Sequence, residues 1–191
     1  MVYLSPFVWI FPVIRQYKER FFYFFLTLAV FDPIGALIWL LFKFHTSPFQ
    51  PLFVSYVLLI TLLDHKTIKN YKYLVAIGFI LCVIIPSIIG FRYLFYLGIV
   101  IIHILIVYLM IRLFAEKGIS RKGINIFYLN LLLYELLNLF KFYNIFVGLE
   151  NAYTYATITS IFQIAIGIFF SIFKESSPQN IIKFSNISQP Y

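Results

Sequence analysis

Four side chains able to do proton or ligand chemistry stand in stretches that are otherwise apolar: Asp32, His103, Glu135 and Gln163. A carboxylate, an imidazole or an amide in the middle of an apolar helix is costly to bury, so each needs a partner or a task. Asp32 and Glu135 are expected as protonated, hydrogen-bonded groups or as a proton-coupled site. The plainer role for all four is interhelical hydrogen bonding, worth about 1 kcal/mol apiece. For His103 a packed neutral imidazole is preferred over a metal or haem ligand. Use of Asp32, Glu135 and His103 as acid and base by an intramembrane enzyme requires convergent geometry that spacing alone does not supply.

Around Glu135 the polar pattern is densest. At about 100° per residue, Asn130, Tyr134, Asn138 and Lys141 fall within roughly 80° of one another, with Glu135 about 60° beyond and Tyr128 close to it. Such a stripe must face protein or water, because lipid does not tolerate it. Lys141 is placed to snorkel or to pair with Glu150. Asp32 precedes Pro33, which has no N–H to give the carbonyl of Ala29, and Gly35 follows, so the helix is expected to bend or open there. The candidate ligand-binding or coupling residues are therefore Asp32, His103, Asn130, Tyr134, Glu135, Asn138 and Gln163; no catalytic residue, metal ligand or cofactor is assigned.

The elements that must position these residues follow from composition. Of the 191 residues 62% are hydrophobic and 12% charged, and the mean hydropathy is +0.93. Soluble folds are about half apolar, so the expected solvent is lipid. A helix needs about 20 apolar residues to cross the hydrocarbon. Cutting at charged and turn-forming clusters gives seven segments: Met1–Ile14, Phe21–Lys43, Phe49–Leu63, Tyr73–Ile89, Tyr93–Leu113, Ile124–Phe146 and Tyr153–Phe173, followed by a polar tail, Lys174–Tyr191. The expected fold is an all-α, polytopic transmembrane bundle of seven helices. At about 1.5 Å per residue the four polar groups lie roughly 15 to 17 Å from the starts of their helices, so one shared midplane site is feasible. Pro6 and Pro12 leave the first segment open to a tilted or re-entrant course.

Alternating the loops puts twelve of the fifteen Lys and Arg on one side, leaving Lys43, Arg92 and Lys141 elsewhere. Short basic loops stay in the cytoplasm, which places the N-terminus outside and the tail inside. The first segment has no basic region before it and is read as a retained helix, not a signal peptide. The net charge of +8 is spread over short, separated loops and serves orientation; nucleic acid needs a clustered basic surface. The 21% aromatic content follows the high Phe, Tyr, Ile, Asn and Lys of AT-rich coding, and the lone Cys82 is read as a packing residue.

Known patterns fail where their key residues should stand. The first and last three helices do not match as a repeat, Pro178-Gln179 lies beyond the last helix instead of inside a sugar-carrier repeat, and the seventh helix has no Schiff-base lysine. No GxSxG, HExxH, P-loop or GxGxxG pattern occurs. Asp64-His65 reads as a solvated helix end, and the glycosylation triplet Asn186-Ile187-Ser188 falls on the cytoplasmic side.

The stretches IFYLNLLLYELLNLFKFYNIF, 126–146, and TYATITSIFQIAIGIFFSIF, 154–173, resemble the last two helices of small seven-helix membrane proteins of Bacteroidota-like bacteria, which are similar to membrane input modules of histidine kinases. The resemblance covers the last third of the chain and carries no assigned catalytic residues. It implies a bacterial cytoplasmic membrane and a sensory or partner-coupling role. A tail of this length holds no kinase domain, so any signal passes to another chain. The leading expectation is thus a non-enzymatic membrane module that binds a small molecule or a signalling partner's helix at the midplane. A proton-coupled or small-solute transporter and an intramembrane enzyme are the alternatives.

Overall fold

Long apolar runs without the polar/apolar alternation of a strand fold as helices here, and charged or turn-forming clusters end them. The computed structural model describes residues 5–42, 49–63, 65–89, 92–120, 123–148 and 152–183. Asp64, Glu150 and the Asn186–Ser188 triplet lie outside the described residues, as does the side chain of Asp32, whose backbone belongs to a helix.

In place of one helix over the first apolar segment there are two short ones, α1 (Ser5–Val8) and α2 (Ile10–Arg15), separated at Trp9. Pro12 sits in the first turn of α2, where a missing N–H breaks no helical bond. The chain then turns through Lys18, whose φ of 69° is left-handed, into α3 (Phe22–Phe42). The helix does not open at Pro33, as the sequence suggested it could; it stays α-helical to Phe42. The carboxamide of Gln50, on α4 (Phe49–Leu62), donates to the carbonyl of Phe31 at 2.9 Å. A β-carbon at Gly35 would collide with that carboxamide, so the glycine admits a cross-helix bond.

After α5 (His65–Asn70), the helix α6 (Lys72–Phe79) runs through a π-helical turn, Ile80–Ile84, into α7 (Ile85–Ile89). Next, α8 (Arg92–Leu113) ends in a second π turn, Phe114–Gly118. Helix α9 (Ile126–Val147) starts where the Asn125 side chain accepts from the Phe127 N–H at 2.9 Å, and stops at Gly148 with φ 72°. Helix α10 is Ala152–Ile172. Phe22–Phe42 and Tyr93–Gly118 are long and apolar enough to cross a membrane, with mean hydropathies of 2.1 and 2.7; Phe49–Leu62 and Thr157–Ile172 are shorter apolar helices.

The fold is all-α apart from a small sheet that the sequence did not announce. Strands β1 (Ile119–Ser120), β2 (Gly123–Asn125) and β3 (Ile181–Lys183) pair antiparallel in that order, Asn125 opposite Ile181. Part of the expected polar tail is thus a docked strand, reached through a 3-10 turn at Pro178–Asn180.

The helices close a ring in which neighbours pack in the order α3, α4, α8, α9, α10, then α1 and α2 back on α3. The π turn 80–84 packs outside it on α4 and α8. Aromatic rings fill the side near α1 and α2: Phe25 and Phe127 each meet Phe170 at 4.9 Å, and Trp9 meets Tyr134 edge-on at 4.7 Å. The exterior is apolar as well. Phe42 and Leu74 are 73% and 67% exposed, and Ile88 79%.

Candidate functional site

Helices α4, α8 and α9 each bring one polar side chain to a common point. Ser55 is the contribution of α4, His103 of α8 and Glu135 of α9, and all three are buried. Nε2 of His103 lies 3.0 Å from the Ser55 hydroxyl, and Nδ1 lies 3.0 Å from Oε2 of Glu135. The imidazole stacks on Phe142 at 5.0 Å between ring centres, which fixes its plane. The Ser55 hydroxyl also lies 2.7 Å from the carbonyl of Pro51, one turn back in its own helix.

Counting protons constrains this relay. Ser55 has one hydroxyl proton. If it goes to Pro51, Nε2–H of His103 donates to Ser55, and one further proton lies between Nδ1 and Oε2. Whether that proton sits on the imidazole or on the carboxyl, the pair carries no net charge. If Ser55 donates to Nε2 instead, Nδ1–H donates to Oε2 of Glu135, and a carboxyl carrying its proton on Oε1 keeps the relay uncharged, whereas an ionised one buries a net negative charge among apolar side chains. The geometry admits both donor orders. It leaves one loose end: among the described residues, Oε1 of Glu135 has no hydrogen-bond partner.

A second polar contact lies one turn along α9. Gln163, on α10, donates from Nε2 to Oδ1 of Asn138 at 2.7 Å, and both are buried. Tyr134 is buried against Trp9 and Phe24, its ring 6.2 Å from that of Phe24. Asn130 is half-buried and belongs to neither contact as described. Of the four residues expected at one depth, the structure therefore brings His103 and Glu135 together directly. Gln163 is seated beside them through Asn138, and the Asp32 side chain is outside the described residues.

Sequence reasoning missed two residues. Ser55 gave no signal because a serine one turn after a proline in an apolar helix reads as bonded back to its own backbone, which it also is. Gln16 was hidden among Arg15, Lys18, Glu19 and Arg20, a cluster that reads as a solvated loop. It is fully buried. Its Nε2 donates to the carbonyls of Phe170 at 3.1 Å and Phe173 at 2.7 Å, and its Oε1 accepts from the Glu175 N–H at 3.1 Å. Arg15 adds a bond from Nε to the Ile172 carbonyl at 3.1 Å. The last turn of α10 is thus capped from the other end of the chain.

Glu175 extends this lock. Its carboxylate accepts from the Arg20 N–H at 3.1 Å and from the Tyr128 hydroxyl at 2.6 Å, while Lys174 pairs with Glu19 at 3.1 Å. Helix α9 therefore touches the lock through Tyr128 and the relay through Glu135, seven residues and about 10 Å apart.

Among the described residues no group of three His, Cys, Asp or Glu is arranged to hold a metal ion. Compared with family models, curated proteins and solved structures, the chain matches none of them. The functional reading rests on the geometry.

Proposed function

We propose that this chain is an integral membrane protein of seven spans, its N-terminus outside and its tail in the cytoplasm of a bacterium, and that it works as a non-enzymatic coupling module. The observation that carries this reading is the Ser55–His103–Glu135 relay: polar, hydrogen-bonded and buried inside a bundle whose exterior is apolar. Large exposed apolar side chains around buried polar ones reverse the soluble pattern and suit lipid. The turn at 16–21, the strands β1 and β2 and the segment 173–183 meet at one end, in accord with the side to which the basic loops point.

In this reading the relay is the joint through which α4, α8 and α9 are coupled, and a ligand or partner helix that displaces one of its hydrogen bonds favours a different approach of the three helices. Helix α9 passes the change to the lock through Tyr128 and Glu175, where a partner in the cytoplasm reads it. Spin labels on α4 and α9 should show a different separation in Glu135→Gln and in His103→Ala than in the wild type. A separation that neither substitution alters would remove the coupling role.

A second reading follows from the connectivity itself, because hydroxyl, imidazole and carboxylate in series are the parts of an acyl-transfer triad. Against it, the hydroxyl is engaged by Pro51, and all three groups are buried, with 3% the highest exposure among them. A fluorophosphonate probe separates the two: no labelling is expected, and labelling abolished by Ser55→Ala would make the protein a hydrolase.

A further inference from the structure

Between α2 and α10, at the end where the lock forms, an open groove of about 670 Å³ runs along the outside of the bundle. Val8, Phe11 and Ile168 belong to its apolar lining, and Arg15 and Lys174 stand at the end nearest the lock, its mouth. The two helices run towards the same end of the bundle, so both cations of the lining stand at that end. From Val8 to Arg15 the helical rise is about 10 Å. Helix α1 approaches α10 at Gly167, where a β-carbon would stand 2.6 Å from Cγ1 of Val8, and towards the lock Arg15 bonds the Ile172 carbonyl.

Both cations are held in place without being used up. Nε of Arg15 donates to the Ile172 carbonyl at 3.1 Å, which leaves the terminal guanidinium nitrogens at an exposed position. Lys174 reaches Glu19 at 3.1 Å and stays 37% exposed. Glu19 is the acidic group at this mouth, and it is shared with the hydroxyl of Ser176 at 2.8 Å. Glu175, the next carboxylate, is turned to Arg20 and Tyr128. Two positive side chains thus face one engaged carboxylate.

We infer that this groove binds one anionic phospholipid of the surrounding bilayer, its phosphate at Arg15 and Lys174 and an acyl chain along Val8, Phe11 and Ile168. The site rests on the membrane reading above but not on the relay. A volume of this size suits a single ligand tail and headgroup. The order of the lining matches an amphiphile inserted from the cytoplasmic leaflet, where anionic lipids are drawn to basic side chains. Occupied, the lipid would rest against the capped end of α10 and hold Arg15 in its bond to Ile172.

The test is native mass spectrometry of the full chain in detergent, titrated with dioleoyl phosphatidylglycerol and dioleoyl phosphatidylcholine. One phosphatidylglycerol should be retained with a preference on the order of tenfold, as two nearby cations imply. The variant Arg15→Gln/Lys174→Gln should lose the preference. Because those substitutions also touch the lock, Ile168→Trp serves as an independent change that fills the groove and leaves every charge in place; it should lose the lipid. Equal retention of both lipids overturns the site, as does a preference that survives both variants or a dimer that retains no lipid. Release of the wild-type chain from membranes by alkaline carbonate would overturn the membrane reading and the lipid site with it, whereas firm membrane retention without lipid preference overturns the lipid site alone.

Discussion

Ser55 and His103, 48 positions apart in sequence, share a hydrogen bond of 3.0 Å in the interior of the bundle. The bond joins α4 to α8, and the second imidazole nitrogen carries the connection on to α9.

Replacing Ser55 by Ala should leave Nε2 of His103 buried without its hydrogen-bond partner. The expected loss of stability is about 1 kcal/mol, at the level measured for interhelical bonds in membranes. Reversible unfolding in mixed micelles measures it, and a variant as stable as the wild type would mean that α4 is held to α8 by apolar packing alone.

Glu135→Leu should cost more than Glu135→Gln. Glutamine keeps both an acceptor oxygen and a donor N–H, so it can pair with Nδ1 in either tautomer, while leucine leaves that nitrogen without a partner, a penalty of about 1 to 3 kcal/mol. The ranking is read from thermal denaturation of the two variants side by side. Equal losses would indicate that the carboxyl is valued for its volume and not for its bond to His103.

Gln16→Ala removes three hydrogen bonds at once, from the carbonyls of Phe170 and Phe173 and from the N–H of Glu175. Each buried group left unpaired costs about 1 kcal/mol or more. The end of α10 and the segment up to β3 should fray, visible as faster amide exchange over 170–183 than in the wild type. Gln16→Glu should fray it too, because a carboxylate has no proton to give the two carbonyls.

At Gly167 the added methyl of alanine would press on Val8, and overpacking of this kind costs about 1 to 3 kcal/mol. The companion change Val8→Ala should restore part of the loss, since it removes the γ-carbon that Gly167→Ala meets. A double-mutant cycle on unfolding free energies reads the interaction. Additive losses would mean that α1 does not rest on α10 at this point.

The helical fold was legible because hydrophobic length and charge clusters are local signals: the run that became α8 is apolar from Tyr93 to Ile111 with His103 near its middle, and Arg112 marks its end. The pairing of His103 with Glu135 was legible only as equal depth, since depth follows from counting residues whereas azimuth depends on how helices pack. Ser55 was illegible for that same reason. The three strands are two or three residues long, too short for an alternation to register, and are set by pairing of backbone segments far apart in sequence. Pro33 marked a place of broken hydrogen bonding correctly in chemical terms, yet α3 continues through it, and the Gln50 carboxamide that donates nearby comes from a different helix.

Gln16 emerges during synthesis 154 residues ahead of Phe170, the first of the two carbonyls it caps. Through most of translation its amide has no protein partner at that position and must stay hydrated, so the first short helices are not sealed to the bundle until α10 has formed. The ring therefore closes where α2 and the last turn of α10 meet. A nascent chain stopped short of α10 presents open faces of α2 and α9 that proteases and chaperones can distinguish from the finished molecule.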